Sequence, residues 1–101
     1  MLSRNIEQLM KDLTGFQRDL LYCIAGMEEP YGLGIKEDLK SYREIEVNHA
    51  RLYSNLNTLA DNGYVVKRSL NGRKKSYELT AEGRQLLAER QEWEAERLPT
   101  Q

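Results

Sequence analysis

The sequence predicts a mainly α-helical chain with one small β-hairpin, an α+β fold in a single domain. Three observations carry this expectation. Apolar residues recur at steps of three and four through most of the chain. That period gives way to a β-branched, strand-like run only after Gly63. Asn71-Gly72 then stands between two such runs, where both positions suit the positive φ of a two-residue hairpin turn.

The elements follow in order. Residues 3–12 form a short helix capped by Ser3, with Ile6, Leu9, Met10 and Leu13 on one side. Thr14-Gly-Phe-Gln17 has the form of a capping box, in which Thr and Gln side chains satisfy the orphan amides of a helix start. Phe16, Leu20, Cys23, Ile24 and Met27 then define an amphipathic helix over 15–26. Pro30 and Gly32 break it. A shorter helix over 33–42 aligns Ile35, Leu39 and Tyr42, and residues 43–47 form a connector or a very short strand. Asn48 caps a third core helix, 48–62, with the stripe Leu52, Leu56 and Leu59 and a stop at Gly63. Strands flank Asn71-Gly72, and Thr80 caps a last helix to about Arg97 that carries Leu86, Leu87 and Trp93. Three core helices followed by a hairpin is the order of a winged helix-turn-helix. N- and C-terminal dimerisation helices are expected beside it.

Composition narrows the function. A chain of 101 residues supports one modest core, so an oligomer interface would help to stabilise it. It contains no apolar run of membrane-spanning length and no signal-peptide pattern, and a cytoplasmic protein is expected. The single cysteine, Cys23, lies on the apolar side of its helix and reads as a buried thiol. The single histidine, His49, leaves no His-based metal cluster, and no cofactor or catalytic constellation is visible. Gly32-Leu-Gly34 lacks the third glycine of a dinucleotide fingerprint. An enzyme is not expected.

Charge is distributed unevenly. The formal net charge is −1, yet residues 48–77 hold six cations against Asp61 alone. On the third core helix the face opposite the leucines carries Ala50, Arg51, Ser54, Asn57, Thr58 and Asp61, which is short and hydrogen-bonding. Arg51 suits a guanine edge, Asn55 an adenine edge and Ala50 a thymine methyl, while Ser54 offers a hydroxyl. These four are the base-reading candidates, because the N-terminal residues of a recognition helix reach the bases. In the wing, residues 67–77, Arg68, Arg73, Lys74 and Lys75 are phosphate candidates. Tyr31, Lys36, Asn48, His49 and Tyr53 complete that set, although His49 projects nearer the apolar side. An ordinary surface helix and an edge strand guarded by lysines remain the plainer readings.

Three blocks carry a family resemblance: EEPYGLGIKEDL (28–39), ARLYSNLNTLADNGYV (50–65) and RKKSYELTAEGRQLL (73–87). They resemble the Tyr-Gly-x-x-Ile, Leu-Tyr-Pro-x-Leu and Leu-Thr-x-x-Gly segments of the PadR-like winged-helix transcription regulators, in the short subfamily with one C-terminal dimerisation helix. Ser54 stands where that family usually has proline. The resemblance implies a homodimer with the recognition helix in the major groove of double-stranded DNA and the wing on the backbone. It divides the chain into an N-terminal arm (1–12), a DNA-binding domain (13–79) and a dimerisation helix (80–101). Ile6, Leu9, Met10, Leu86, Leu87, Arg90 and Trp93 are the dimer-interface candidates. Some relatives bind planar apolar ligands at the dimer interface, so an effector beside Trp93 stands as an alternative to Trp93 as an interface anchor. A repressor on an inverted-repeat operator is the expected function. A winged helix used only for protein contact and a MarR-like or ArsR-like regulator are the alternatives.

Overall fold

Thr14 starts the first helix as its sequence requires. Its hydroxyl accepts the Gln17 amide at 3.0 Å, and the Gln17 side chain accepts the Thr14 amide at 3.1 Å. The computed structural model describes residues 13–70 and 74–98. The first helix, α1, spans Gly15–Ala25 and buries Phe16, Leu20, Leu21, Cys23 and Ile24. It packs against every other helix and against the second strand, so it forms the centre of the core. The expected helix over 3–12 lies outside the described residues.

The second helix, α2, spans Gly32–Arg43 and the third, α3, spans His49–Asp61. Asn48 caps α3 by accepting the Arg51 amide at 2.9 Å. Gly63, at φ 84°, makes the left-handed step that leads the chain out of α3 and into the hairpin. Between α2 and α3 the chain forms a connector without a strand, from which Val47 reaches the core. One expectation for α2 fails. Tyr42, placed on the apolar stripe with Ile35 and Leu39, is 76% exposed. It borders an open groove of about 530 Å³ between α1, α2 and the last helix, so nothing covers its ring.

Strands β1 (Val65–Leu70) and β2 (Lys74–Leu79) pair antiparallel. Leu70 pairs with Lys74, which leaves three residues, 71–73, between the last partners. The two-residue connection read from Asn71-Gly72 is therefore corrected, since it would pair Leu70 with Arg73. Tyr31 adds a single antiparallel bridge to Ser76, and the Tyr77 amide donates to the Pro30 carbonyl at 3.0 Å. The segment before α2 thus braces the free edge of β2. Tyr77 and Leu79 point into the core as expected from alternation.

The last helix, α4, spans Ala81–Arg97 and is capped by Thr80. The Thr80 hydroxyl accepts the Gly83 amide at 3.0 Å and donates to the Gly63 carbonyl at 2.7 Å. The Thr80 amide donates to the Tyr64 carbonyl at 3.1 Å. This stapling brings the first turn of α4 so close to Tyr64 that a Cβ on Gly83 would collide with the Tyr64 carbonyl oxygen. The architecture is a winged helix-turn-helix, with α2 and α3 as the motif and the hairpin as wing. Among the described residues, no helix is long and apolar enough to cross a membrane.

Two measurements test this packing. Gly83→Ala should cost about 1–3 kcal/mol, read from the urea midpoint, because backbone has to move to admit the methyl group. Cys23 is buried, and burial together with its bond to Asp38 pushes its thiol up to about 12. Iodoacetamide at pH 8 should leave the native thiol intact and alkylate it once denaturant is added.

Candidate nucleic-acid interface

Helix α3 is held on its flanks and left bare along one face. Leu52, Leu56 and Leu59 are fully buried, whereas Ala50, Arg51, Ser54, Asn57, Thr58 and Asp61 are exposed. The helical repeat therefore divides the element as the sequence suggests. The Thr58 hydroxyl donates back to the Ser54 carbonyl at 3.1 Å, and the Ser54 side chain stays on the exposed face.

Three contacts fix the flanks. On the side toward α1, Gln17 donates its amide nitrogen to the Asn55 side-chain oxygen at 2.9 Å. Asn55 in turn donates to the Arg51 carbonyl at 2.8 Å. Asn55, expected to read bases, is half-buried, and its side chain is engaged as a tie between helices. Toward α2, the Tyr53 hydroxyl lies against Gly32, with its ring atoms 2.8 and 2.9 Å from where a Gly32 Cβ would stand. A larger residue would require the Tyr53 ring to move. Toward the wing, the Lys67 ammonium donates to the Asn57 side-chain oxygen at 3.2 Å.

The other expected contact residues are distributed as follows. Arg51 is exposed, and its guanidinium carbon lies over the Phe16 ring at 3.9 Å from the centroid. His49 is exposed rather than directed to the apolar side, with its ring 4.6 Å from that of Tyr53. It sits in the first turn of α3, where the core no longer covers it. Asn48 is occupied as the helix cap. Tyr31 is half-buried, and the Lys74 ammonium lies 4.5 Å from its ring centroid. Lys36 is half-buried, Lys75 is exposed, and Arg73 lies outside the described residues.

Strand register separates the wing cations. Residues paired or alternating with Val65 put Lys67 and Lys75 on the face shared with Tyr77, while Arg68 and Lys74 belong to the opposite face. Arg68 is further offset by Glu78, 3.1 Å away. Lys67, absent from the expected contact set, is the cation among the described wing residues that bonds to α3. Its spacing of two from Val65 is the signal that identifies it in the sequence.

Two dimer-interface expectations are corrected. Leu86 and Leu87 are buried within the chain itself, because the first turns of α4 pack on α1 and β2. They are not available to a partner. Arg90 pairs with Glu94 at 3.1 Å and flanks Trp93, whose other neighbour is Arg97. Trp93 is 46% exposed and Leu98 80%, so the apolar surface of α4 and its C-cap lies about two to three turns beyond the expected leucines. Ile6, Leu9 and Met10 fall outside the described residues. Among the described residues, no group of three or more His, Cys, Asp or Glu could hold a metal ion.

Residues 20–89 match the model of the transcriptional regulator PadR-like family. The RosR structure from H. salinarum is 40% identical, with a TM-score of 0.84 over 89% of this chain and 81% of that one. Bacillus subtilis PadR, solved with operator DNA, is 26% identical, with a TM-score of 0.60 over 72% of this chain and 45% of that one. A MarR-family regulator from Rhodococcus sp. RHA1 shares the fold at 19% identity, with a TM-score of 0.65 over 77% of this chain and 52% of that one. No curated protein matches the sequence.

The Gly32–Tyr53 contact can be tested directly. Gly32→Ala should cost about 1–3 kcal/mol, because the methyl would displace the Tyr53 ring. In a Tyr53→Leu background the same change should cost much less, as a double-mutant cycle in urea would record. Equal costs in both backgrounds would assign the destabilisation to another cause.

Proposed function

The chain belongs to the transcriptional regulator PadR-like family, and from that membership we propose that it is a repressor that binds an inverted-repeat operator as a homodimer. Members of that family are regulators rather than enzymes. The observation that carries the reading is the bare face of α3: short hydrogen-bonding side chains, held rigidly from both flanks, next to a wing with Lys67, Lys74 and Lys75. In this reading α3 enters the major groove. Ala50 and Ser54 meet base edges, with Thr58 further along the same face. Tyr53, Asn48, His49, Tyr31, Lys36 and the wing cations, Arg73 included, line the phosphates.

The partner surface is the exposed half of α4, with Trp93 as anchor beside Arg90, and the N-terminal arm with Ile6, Leu9 and Met10 as its complement. Trp93 is assigned to this contact rather than to an effector. Two-fold pairing through these helices would set the two copies of α3 about 34 Å apart, one duplex turn, hence the inverted repeat. The complex of Bacillus subtilis PadR with operator DNA supports operator binding as the activity.

A salt titration tests the reading. Affinity for a 30-base-pair duplex should fall steeply with salt in the native protein. Changing Lys67, Lys74 and Lys75 together to Ala should weaken binding to all sequences and flatten the slope, by about 0.9 for each phosphate no longer neutralised. Binding that ignores salt would favour a protein-only module instead.

A further inference from the structure

A second group of cations lies on the opposite flank of α3 from the wing, and it comes from three different helices. Arg18 of α1, Arg43 of α2 and Arg51 of α3 converge on the first turn of α1. Terminal nitrogens of Arg43 and Arg18 lie 3.8 and 3.9 Å from the position a Gly15 Cβ would occupy. Arg43 and Arg51 lie over the adjacent Phe16 ring, with guanidinium carbons 5.4 and 3.9 Å from its centroid. Among the described residues, Asp19 is the one carboxylate paired with any of them, holding Arg43 at 3.0 Å. Arg18 donates to the Leu13 carbonyl at 3.3 Å, and Arg51 is stacked without an acid. Three guanidinium groups with one paired carboxylate leave an excess of positive charge at this corner, while Asp38 and Glu94 line the groove that Arg18 borders on its other side.

Helix geometry gives this excess a direction. At about 100° per residue, Thr58, Ser54, Asp61 and Ala50 fall between Arg51 on one side and Asn57, roughly 120° away, on the other. Arg51 marks the flank tied to α1, and Asn57 marks the flank tied to Lys67 of the wing. The exposed face of α3 therefore runs between two basic banks. A major groove about 12 Å wide has a phosphate strand on each rim, and a helix seated in it meets both.

We propose that Arg18, Arg43 and Arg51 form a phosphodiester-binding site for the DNA strand opposite the one held by the wing. The site rests on the DNA-binding reading above and adds a second backbone contact to it. Arg51 then acts in affinity and register, and base reading passes to Ala50 and Ser54. Asp19 limits the affinity of the bank, because its carboxylate offsets Arg43.

The test is a salt titration of full-length protein on one random and one promoter-derived 30-base-pair duplex. It compares native protein, Arg18→Gln, Arg18→Lys, Asp19→Asn and the triple wing variant. Arg18→Gln should bind both duplexes more weakly, with a slope shallower by about 0.9 per protomer, whereas Arg18→Lys should keep the native slope. Asp19→Asn should bind severalfold more tightly at low salt. In phosphate-ethylation interference, within each half-site, Arg18→Gln should become insensitive to ethylation on one strand and the wing variant on the other, with the strands exchanged between half-sites. A native slope in Arg18→Gln, or weaker binding by Asp19→Asn with an unchanged thermal midpoint, would overturn the site. Failure of the native protein to bind DNA would instead sink the parent reading, so the two failures are distinguishable.

Discussion

Helix α3 has to be immobile and uncovered at once, and most of the remaining structure serves that constraint. An isolated helix of thirteen residues is marginal in water, so tertiary contacts have to supply its rigidity. Leu52, Leu56 and Leu59 bind it to the core, but apolar packing alone permits small sliding and rolling motions. Polar ties to other elements restrain those motions: Gln17 to Asn55, and Lys67 to Asn57. Each tie sits on a flank. The face between them is left without a covering element, which is the arrangement needed for a rigid, wide ligand.

The capping box of α1 has a second role under this constraint. Gln17 uses its oxygen to accept the Thr14 amide and its nitrogen to reach Asn55. A glutamate would serve the cap equally well, since carboxylates also accept that amide, but it has no hydrogen to donate to Asn55. The choice of Gln over Glu is thus explained by α3 and not by α1. In the same way, Gly32 and Tyr53 occur in separate family blocks, yet they are the two sides of one close approach. Gly83 follows this logic too, with the Tyr64 carbonyl as its neighbour.

Most of the architecture was legible in the sequence because helix periodicity and capping are local. Thr14, Asn48, Thr80 and Gly63 bound their elements where their chemistry suggests. The bare face of α3 was legible for the same reason. What could not be read was which neighbour a side chain meets. Asn55 lies at the margin of the exposed face, and only the proximity of Gln17, thirty-eight positions away, turns it inward. Leu86 and Leu87 read as surplus apolar residues until α1 and β2 are seen to cover them. Arg68 and Lys67 are adjacent and equally cationic, and strand register alone decides that one meets Glu78 and the other α3. The hairpin connection differs by one residue for a related reason: the pairing of Leu70 with Lys74 belongs to the sheet and not to the Asn-Gly dipeptide.

The replacement of proline by Ser54 bears on the same rigid face. Proline in a helix beyond its first turn removes an amide from the backbone ladder and clashes with the carbonyl four residues earlier. Here that carbonyl belongs to Ala50, on the exposed face. Serine removes the clash and restores the amide. It also supplies a hydroxyl that both donates and accepts, so it can meet more than one base edge. A straight α3 with a tolerant central hydroxyl depends more on its backbone contacts for register. Basic banks on both flanks, each joined to α3 by a different element, suit a reader of that kind.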